Sequence, residues 1–366
     1  MKKIRIQKIV KVFVALSGGV DSSVACALLK EQGYDVTAVF MRCWLGDAGG
    51  MLSSSCTTEQ DERDARRVAV RLGIPFLVFD LRKEYKKEVA DYMINGYRRG
   101  ITPNPDVMCN KYIKFGLFLK KAVAMGADMI ATGHYVRLRR ATQNSFHLLE
   151  AKDKNKDQSY FLWRLTQGQL KRCLFPVGNF IKPEIRELAK KFRLPTAGKK
   201  DSQGICFIGK VTLFDFLKKH IKPKKGIIIG PDGRAIGEHN GAWYYTIGQR
   251  GFGVGGAAQP LYVVKKDIRR NILYVGHKDD KRLYGAKLFL KEVHWIAQKP
   301  KLPFRCKARI RYRQELAEAV VSMLGKRTVI SFSKPQFAPA RGQSVVFYSR
   351  RNAPAGRKVL GGGVIA

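Results

Sequence analysis

A glycine- and serine-rich run near the start of the sequence has the composition of a phosphate-binding loop. Residues 17–23 read SGGVDSS, follow the apolar run Val12–Leu16 and open the helical pattern Val24–Gln32. Glycines allow the backbone to turn its N–H groups toward a ligand, and a helix start adds N–H donors and the positive end of a dipole. The run fits neither GxxxxGK[ST] nor GxGxxG, and the plain alternative is a strand–turn–helix connection capped by Asp21. We interpret the whole run as an anion-binding cradle.

Two of the cysteines have sequence neighbours that favour reactivity. Cys109 ends the segment TPNPDVMC and precedes a helix that we predict from Lys111, so the helix dipole and nearby lysines would stabilise its thiolate. Asp106 is close enough in the sequence to share that site. Cys206 lies in DSQGICFIG, where flanking glycines indicate a loop with a half-buried thiol. A buried apolar role is the usual one for a single cysteine, and the sequence does not say whether these two meet.

The remaining cysteines give no such signal. Cys26, Cys173 and Cys306 lie in apolar periodic segments, where we expect buried thiols, and Cys43 and Cys56 flank a loop and stay undecided. The number of cysteines is odd, and none of them form a CxxC pair, which argues against a disulfide framework and against a structural zinc site. This pattern fits a reducing compartment.

The charge balance of the 366-residue chain points to a polyanionic partner. Lysine and arginine number 69 against 29 aspartates and glutamates, which gives a formal net charge of +40. Nucleic acid is the expected partner because phosphate contacts release counterions, and a generally basic proteome is the alternative. No apolar run approaches the roughly 18 residues that span a bilayer, and the basic start lacks a secretory apolar core and cleavage site. We therefore expect a cytoplasmic protein without membrane segments.

The first two-thirds of the sequence alternates strand and helix patterns. Such alternation predicts a parallel sheet wound on both faces, with the glycine run at the carboxyl edge where these sheets bind ligands. The predicted strands are Val12–Leu16, Val36–Phe40, Phe76–Phe79 and Met129–Thr132, and the predicted helices are Val24–Gln32, Glu62–Leu72, Glu84–Arg98 and Lys111–Met125.

After residue 219 the pattern changes to short strands separated by glycine, lysine and proline. This spacing predicts a small, mostly β central domain followed by a C-terminal β-barrel. We place an N-terminal α/β domain over 1–219, the central domain over 220–283 and the barrel over 284–366. The predicted strands are Ile227–Ile229, Tyr262–Val264, Ile272–Val275, Leu288–Trp295, Cys306–Tyr312, Ala319–Met323, Val329–Phe332 and Val345–Tyr348.

The SGGVDSS run resembles the pyrophosphatase loop of the N-type ATP pyrophosphatases, the PP-loop superfamily, whose fold is adenine nucleotide alpha hydrolase-like. These enzymes use ATP to adenylate an oxygen of a substrate and release pyrophosphate. Further motifs narrow the resemblance to the tRNA-specific 2-thiouridylases, which sulfurate the wobble uridine of certain tRNAs. From Val14 to the glycines at 361–363 the motifs follow that family's order, and they comprise TPNPDVMCNKYIKFG, ATGHY, NKDQSYFL, LFPVG, DSQGICFIG, YTIGQR and RYRQ.

The resemblance implies an ATP site that uses Mg²⁺. Asp21 would face the metal beside the leaving pyrophosphate. Cys109 corresponds to the catalytic nucleophile and Cys206 to the persulfide carrier, and Asp106 is a candidate acid–base group. The implied ATP-binding residues are Ala15, Leu16, Ser17, Gly18, Gly19, Val20, Asp21, Ser22, Met41 and Gly133.

The resemblance also implies a tRNA substrate, with the lysine, glutamate and glutamine species expected. The sulfur donor would be a relay protein or a cysteine desulfurase that acts directly. Asn104, Pro105 and Asp106 would touch the target base. Further tRNA contacts fall on His134, Lys156, Asp157, Gln158, Arg311, Tyr312 and Gln343.

Plainer interpretations stay open for several of these residues. His134 could be a core histidine, and Lys156–Gln158 could be a solvated helix start. Arg311 and Arg313 would share one face of the predicted strand, as they would on any solvent-facing strand. The sequence also departs from the family pattern, because Gly251 directly follows YTIGQR where the family often has a lysine.

Three rival functions fit parts of the sequence. Another PP-loop tRNA-modifying enzyme would share the loop, although a cytidine-thiolating enzyme would need a CxxC pair, which the sequence lacks. A non-catalytic RNA-binding protein on the same fold would be expected to lack Asp21, Cys109 or Cys206, and all of them are present. A small-molecule amidating synthetase would need neither the cysteine pair nor the net charge of +40.

Overall fold

The computed structural model describes residues 9–43, 57–200, 212–252, 259–351 and 356–366. The described residues divide into two compact units, and neither unit is continuous in the sequence. The first unit draws on Met1–Lys86, Val107–Lys210 and Ala353–Val359, and the second on Lys87–Asp106, Val211–Asn352 and Leu360–Ala366. Within the described ranges, no helix combines the length and the apolar character needed to cross a bilayer.

The strands are short in the first part of the chain and longest in the last third. In chain order they are β1 Lys11–Ala15, β2 Asp35–Arg42, β3 Phe76–Asp80, β4 Met129–Thr132, β5 Arg137–Thr142, β6 Ser145–Leu149, β7 Cys173–Leu174, β8 Gly226–Ile229, β9 Ala235–His239, β10 Tyr262–Asp267, β11 Ile272–Gly276, β12 Tyr284–Trp295, β13 Phe304–Arg309, β14 Ala317–Leu324, β15 Arg327–Phe337, β16 Ser344–Tyr348 and β17 Val359–Ile365.

The α-helices concentrate in the first 220 residues. They are α1 Val20–Glu31, α2 Thr57–Leu72, α3 Arg82–Tyr85, α4 Asp91–Arg98, α5 Pro105–Met108, α6 Leu119–Ala124, α7 Gln167–Leu170, α8 Lys182–Lys191 and α9 Leu213–Lys218. Two segments wind as wider π-helices, Lys86–Ala90 and Cys109–Phe118. Short 3₁₀ turns lie at Ser159–Phe161, Pro176–Asn179, Ala242–Tyr244 and Lys281–Leu283.

The first unit is built on a five-stranded parallel sheet in the order β3-β2-β1-β4-β7. Strand β1 reads KVFVA and is buried except at its first residue, as expected for a strand covered on both faces. The chain adds β2 and β3 on one side of β1, and then β4 and β7 on the other. This reversal creates a crevice at the carboxyl ends of β1 and β4, where such sheets bind ligands. The predicted doubly wound parallel sheet is therefore confirmed.

The second unit contains a four-stranded sheet, β10-β11-β8-β9, and a closed six-stranded barrel in the order β12-β15-β14-β13-β16-β17. Apolar side chains such as Leu290, Val321 and Phe347 fill the barrel core. Closure pairs every barrel strand on both sides, which leaves no open sheet edge. The predicted small β region and the C-terminal barrel are confirmed.

Both units take in residues from distant parts of the chain. Helix α4 belongs to the second unit, where Arg98 donates to the carbonyl of His220 at 2.8 Å. In the first unit, residues near the end of the chain pair with the β5–β6 hairpin. Leu149 forms a bridge with Lys358, and the Glu150 N–H donates to the carbonyl of Arg357 at 2.9 Å. Arg357 and Lys358 thus extend the pairing of the hairpin in the first unit, whereas Leu360–Ala366 belong to the second.

The buried cysteines behave as the sequence pattern predicts. Cys26 and Cys173 are almost completely buried, and burial raises the pKa of each thiol far above its ordinary value. Cys306 lies in the barrel core, where burial and the nearby Glu318 raise its pKa to about 12. These thiols stay protonated at neutral pH, so their buried apolar role is confirmed.

Lys266 on β10 is an unfavourable feature of the second unit. Its ammonium donates to the carbonyl of Tyr245, and burial lowers its pKa to about 8. In an unfolded chain the pKa of lysine is about 10.4. Burial of the charged side chain therefore lowers the free energy of unfolding fully below about pH 8, and this loss of stability disappears as the pH rises toward about 10. We expect Lys266→Met to raise the free energy of unfolding at neutral pH by about 1–2 kcal/mol. Urea unfolding measured across this pH window checks the prediction.

Lys265→Met is the matched control, because Lys265 is the exposed neighbour on the same strand. The free energy of unfolding of the wild type should rise above about pH 8. The control variant should show the same rise, whereas Lys266→Met should show a smaller one. The prediction is contradicted if both variants keep the same pH dependence.

Candidate active site

The predicted nucleotide-binding residues meet at the carboxyl edge of three neighbouring strands. The loop from Ala15 to Ser22 follows β1, Met41 lies at the end of β2, and Gly133 directly follows β4. Strand β1 pairs with β2 on one side and with β4 on the other, so these three chain segments are adjacent. The fold therefore brings together residues that lie more than a hundred positions apart in the sequence.

The loop holds itself in shape through its own serines. The Ser17 N–H donates to the Ser22 hydroxyl at 3.2 Å, and the Ser22 hydroxyl donates to the Gly19 carbonyl at 3.0 Å. The Ser23 hydroxyl donates to the same carbonyl at 2.8 Å. Gly19 is the N-cap of α1 and has no side chain to cap it, so the first N–H groups of the helix are available to an anion.

Two glycines are required by close packing around the loop. A Cβ on Gly133 would lie 2.7 Å from the backbone nitrogen of Ser22, so only glycine lets the β4 end approach the first turn of α1. Gly18 has φ +74°, and a Cβ there would lie 2.2 Å from the carbonyl oxygen of Asp61. The loop is therefore seated tightly between the end of β4 and the first turns of α2.

Asp21 carries the main charged contact at the loop. The Tyr135 hydroxyl donates to its Oδ1 atom at 2.7 Å, and the Lys182 ammonium lies 2.6 Å from the same oxygen. Lys182 is only 9% exposed, which is rare for a lysine without a specific role. The Lys182 ammonium therefore places a positive charge at the phosphate cradle, which the loop sequence itself lacks.

Sequence reasoning missed Lys182 and assigned no role to Tyr135. Tyr135 closes the quoted ATGHY motif, so its position beside the loop could have been inferred from β4. Lys182 lies 161 residues from its carboxylate partner, and nothing in KPEIREL distinguishes it from a solvated helix start.

Cys109 is the first residue of the π-helix Cys109–Phe118 and is 5% exposed. Helical backbone already begins at Pro105 with α5, so the predicted helix start at Lys111 is wrong. The two prolines read as a turn, but Pro105 occupies the first position of a helix, where proline is well tolerated. Cys109 therefore lies within a helical segment, and its thiol does not sit at a helix N-terminus. π-Helical turns are frequent at functional sites.

The segment before Cys109 is fixed within the second unit by Gln343. Its side-chain amide donates to the carbonyls of Thr102 and Pro103, both at 3.1 Å. Asn104 and Pro105 are buried, whereas Asp106 is half-buried. The predicted base-contacting segment is thus held by a residue that was itself predicted to contact tRNA.

The predicted tRNA residues of the first unit are mostly engaged with the protein. His134 is buried, its Nδ1 lies 2.8 Å from the Thr132 hydroxyl, and burial together with the Lys114 charge lowers its pKa well below the ordinary range. Its imidazole is therefore neutral. The buried Asp157 accepts the Ser159 hydroxyl at 2.8 Å, so a solvated helix start does not describe this residue.

Gln158 is also tied to the segment after β4. Its Oε1 accepts the backbone N–H of Tyr135 at 2.9 Å, and its own N–H donates to the Tyr135 carbonyl at 2.9 Å. Lys156 is half-exposed and donates its backbone N–H to Asp153.

Arg311 and Tyr312 follow the barrel strand β13 and do not continue it. The strand ends at Arg309, and Arg313 has φ +63°, so the prediction of a strand that reaches Tyr312 is wrong. The polar sequence RYRQ lacks the alternating apolar residues that would hold it in the barrel wall. Arg311 donates to the carbonyls of Ile247 and Ala338 at 2.7 and 2.8 Å, and the Arg313 guanidinium lies 5.0 Å from the Tyr312 ring centroid.

The predicted site residues are therefore distributed unevenly. The nucleotide set is brought together in the first unit, and the tRNA set is divided between the two units. Cys206 and Cys56 lie outside the described residues, as does most of the glycine-rich stretch after YTIGQR. Among the residues that the structure covers, no group of three or more histidine, cysteine or acidic side chains could hold a metal ion.

Comparison with known proteins covers nearly the whole chain. Family models match residues 10–210 as a tRNA methyl transferase HUP domain, 214–277 as a tRNA methyl transferase PRC-barrel domain and 286–365 as an aminomethyltransferase beta-barrel domain. Among solved structures, a 4-thiouridine synthetase in complex with RNA and bound ATP matches 54% of this chain and 45% of its own length. It has 22% identity and a TM-score of 0.34, a likeness too low to define a shared geometry.

Relatives with named activities match over nearly their full length. The tRNA-specific 2-thiouridylase MnmA of Geobacillus thermodenitrificans is 46% identical over 361 residues, which cover 97% of this chain and 94% of that relative. The protein of the same name from Christiangramia forsetii is 42% identical over 400 aligned positions, covering 97% of this chain and 100% of that relative. The matched 97% of the chain spans sequence from both units. The chain belongs to the tRNA-specific 2-thiouridylase family.

Proposed function

We propose that the chain is a tRNA-uridine 2-sulfurtransferase that uses ATP to replace the C2 oxygen of the wobble uridine by sulfur. The observation that carries the proposal is the cradle at the sheet edge, where loop N–H groups and the Lys182 ammonium would bind pyrophosphate and Asp21 would hold its Mg²⁺. Its relatives over the full length are named for this reaction. In this proposal residues 1–219 hold the catalytic machinery, and the barrel at 284–366 contacts tRNA.

The need for ATP follows from the chemistry of uracil. Its C2 carbonyl is a poor electrophile, so the O2 atom must first become a leaving group. Attack of O2 on the α-phosphorus of ATP forms an adenylated base and expels pyrophosphate. The loop N–H groups and the Lys182 ammonium would stabilise the charge that develops on the leaving group. The substrate uridine must be splayed from the anticodon stack to reach the site.

Sulfur transfer would use the cysteine pair. The terminal sulfur of a Cys206 persulfide attacks C2, and AMP leaves with the former O2 atom. The Cys109 thiolate then attacks the Cys206 sulfur and releases the 2-thiouridine, which leaves a Cys109–Cys206 disulfide that an external thiol must reduce. Asp106 would serve as an acid–base group beside the base. The persulfide sulfur comes from a relay protein or a cysteine desulfurase.

Mg²⁺ fits the residues of the loop. Both donors to Asp21, from Tyr135 and Lys182, act on Oδ1, and the carboxylate side chain is 32% exposed. Magnesium is commonly held by one or two carboxylates together with substrate phosphates, so Asp21 would hold the ion beside the nucleotide. When bound, the ion neutralises charge on the phosphates.

The substrate range and the compartment complete the proposal. The expected substrates are the tRNAs for lysine, glutamate and glutamine, and the expected compartment is the cytoplasm, where thiols stay reduced. The net charge of +40 fits binding to the tRNA backbone.

Thiolation of unmodified tRNA with a wobble uridine tests the function. The full chain is incubated with tRNA, ATP, Mg²⁺ and a desulfurase-generated persulfide, and the nucleosides are identified by mass spectrometry. We expect 2-thiouridine only when ATP is present, and none when an analogue with a non-cleavable α–β bridge replaces it. Binding of tRNA without ATP-dependent sulfur transfer would instead support an RNA-binding protein on the same fold.

A further inference from the structure

We propose that Lys199 is a positioning residue that sets the phosphate loop in its ligand-binding conformation. The inference rests on the proposed function, because it takes ATP to be the ligand of this loop. Neither the motifs nor the resemblance assigns a role to Lys199.

The Lys199 ammonium lies at the centre of a compact cluster on the first unit. Its Nζ donates to the carbonyl oxygen of Gly18 at 3.0 Å, to Asp61 at 2.7 Å and to Asp64 at 2.6 Å. The two carboxylates belong to α2, and Gly18 belongs to the loop after β1. One lysine therefore ties the phosphate loop to a helix that makes no other assigned contribution to the site.

The contact with Gly18 has a directional consequence. In a trans peptide, the carbonyl of one residue and the N–H of the next point in opposite directions. Holding the Gly18 carbonyl toward Lys199 therefore turns the Gly19 N–H away from Lys199. Gly18 has φ +74°, a conformation that glycine adopts without strain and that allows this peptide to rotate when it is not held. Lys199 thus selects one orientation of a peptide that could adopt others.

The charges around Lys199 argue against a direct contact with phosphate. Partial burial acts to lower the pKa of Lys199, but the hydrogen bonds with Asp61 and Asp64 outweigh it and raise the pKa above the ordinary value. Asp61 and Asp64 balance the charges of Lys199 and of Arg67, which lies 3.9 Å from Asp64, so the cluster carries no net positive charge to offer a phosphate. Lys182 differs in its contacts: its ammonium lies 2.6 Å from Asp21 and 5.9 Å from the Tyr135 ring centroid, and its backbone N–H donates to Asp153.

The two possible roles of Lys199 predict opposite effects of removing its carboxylate partners. If Lys199 positions the loop, Asp61→Asn combined with Asp64→Asn should weaken ATP binding, because the ammonium loses the groups that hold it beside Gly18. If Lys199 contacts phosphate directly, the same double variant should tighten ATP binding, because the competing carboxylates are gone.

Isothermal titration of the full chain with ATP and Mg²⁺, without tRNA, measures this effect. We expect Lys199→Met to lower ATP affinity by about tenfold, the loss expected for a charge-assisted hydrogen bond, and Lys199→Arg to restore part of it. Lys200→Met is the matched control, since it removes the same charge from the exposed neighbouring residue and should leave affinity unchanged. Retained tRNA binding in a filter assay shows that each variant is folded.

The outcomes separate the inference from the function on which it rests. Wild-type affinity in Lys199→Met, or tighter ATP binding in the Asp61/Asp64 double variant, overturns the positioning role while the proposed function stands. Failure of the wild-type chain to bind ATP at all overturns the proposed function.

Discussion

Replacement of Cys109 by alanine is expected to reduce sulfur transfer to tRNA by about a thousandfold or more while ATP still binds. In the proposed chemistry the Cys109 thiolate releases the thiolated base by attacking the persulfide carrier, and alanine removes that nucleophile. The phosphate loop lies on β1 and α1, so its shape does not depend on the thiol. The prediction is checked by single-turnover formation of 2-thiouridine, with ATP affinity measured in parallel.

Cys173→Ala is the matched control for this experiment. Cys173 is also buried, and its thiol donates to the carbonyl of Gln169 at 3.0 Å, so its truncation disturbs the first unit in a comparable way. Because burial keeps this thiol protonated, the control should thiolate at close to the wild-type rate. Equal rates in Cys109→Ala and the control would remove Cys109 from the mechanism.

Replacement of Lys182 by methionine is expected to lower kcat/KM for ATP by about a hundredfold or more. Methionine keeps most of the apolar stem of the side chain but removes the cation beside Asp21. Of the two donors to Asp21, the Tyr135 hydroxyl then remains. The charge on the leaving pyrophosphate would lose its stabilisation, whereas tRNA affinity should stay near the wild-type value. Pyrophosphate release and tRNA binding, measured separately, check the two parts of this prediction.

Lys190→Met on the same helix provides the control, because Lys190 is exposed and forms an ion pair with the equally exposed Glu187, three residues earlier. Such surface pairs contribute about 0–1 kcal/mol, so this variant should behave like wild type. A purely structural role for Lys182 would appear as lower thermal stability with unchanged kcat/KM for ATP in the folded fraction.

The sequence predicts the central sheet well because its strands are strong local signals. The runs that became β1, β2 and β4 are continuous and apolar, and a parallel strand buried on both faces needs such a run. The loop after β1 was also predicted from the sequence, because its glycines and serines shape the backbone of residues next to them in the chain. These features depend on residues close together in the chain.

The missed elements lack such local signals. Strand β5 reads RLRRAT and is mostly exposed, so no apolar alternation marks it as a strand. Strand β17 reads VLGGGVI, and its glycines weaken any strand pattern even though pairing with β12 buries it in the barrel. The helix at Pro105 was read as a turn because proline is typical of both.

The charged contacts at the site could not be predicted for a different reason. Lys182 lies 161 residues from Asp21 in the sequence. Lys199 lies between 135 and 181 residues from the groups that it contacts. Nothing in the periodicity of a segment specifies which distant carboxylate or carbonyl its lysine will reach. Tertiary packing brings such partners into range, as where α8, which begins with Lys182, packs against α1, which carries Asp21.

The discontinuity of the two units has a consequence for protein synthesis. During translation the residues from 356 onward leave the ribosome after everything that they pair with, including the hairpin near Leu149 and the barrel strand β12. Until then the barrel has an unpaired edge and the hairpin lacks its bridge to Lys358, and open edges invite pairing with other chains. Both units therefore wait for the same late segment, and a nascent chain stalled before residue 356 leaves the partners of that segment unpaired in both units at once.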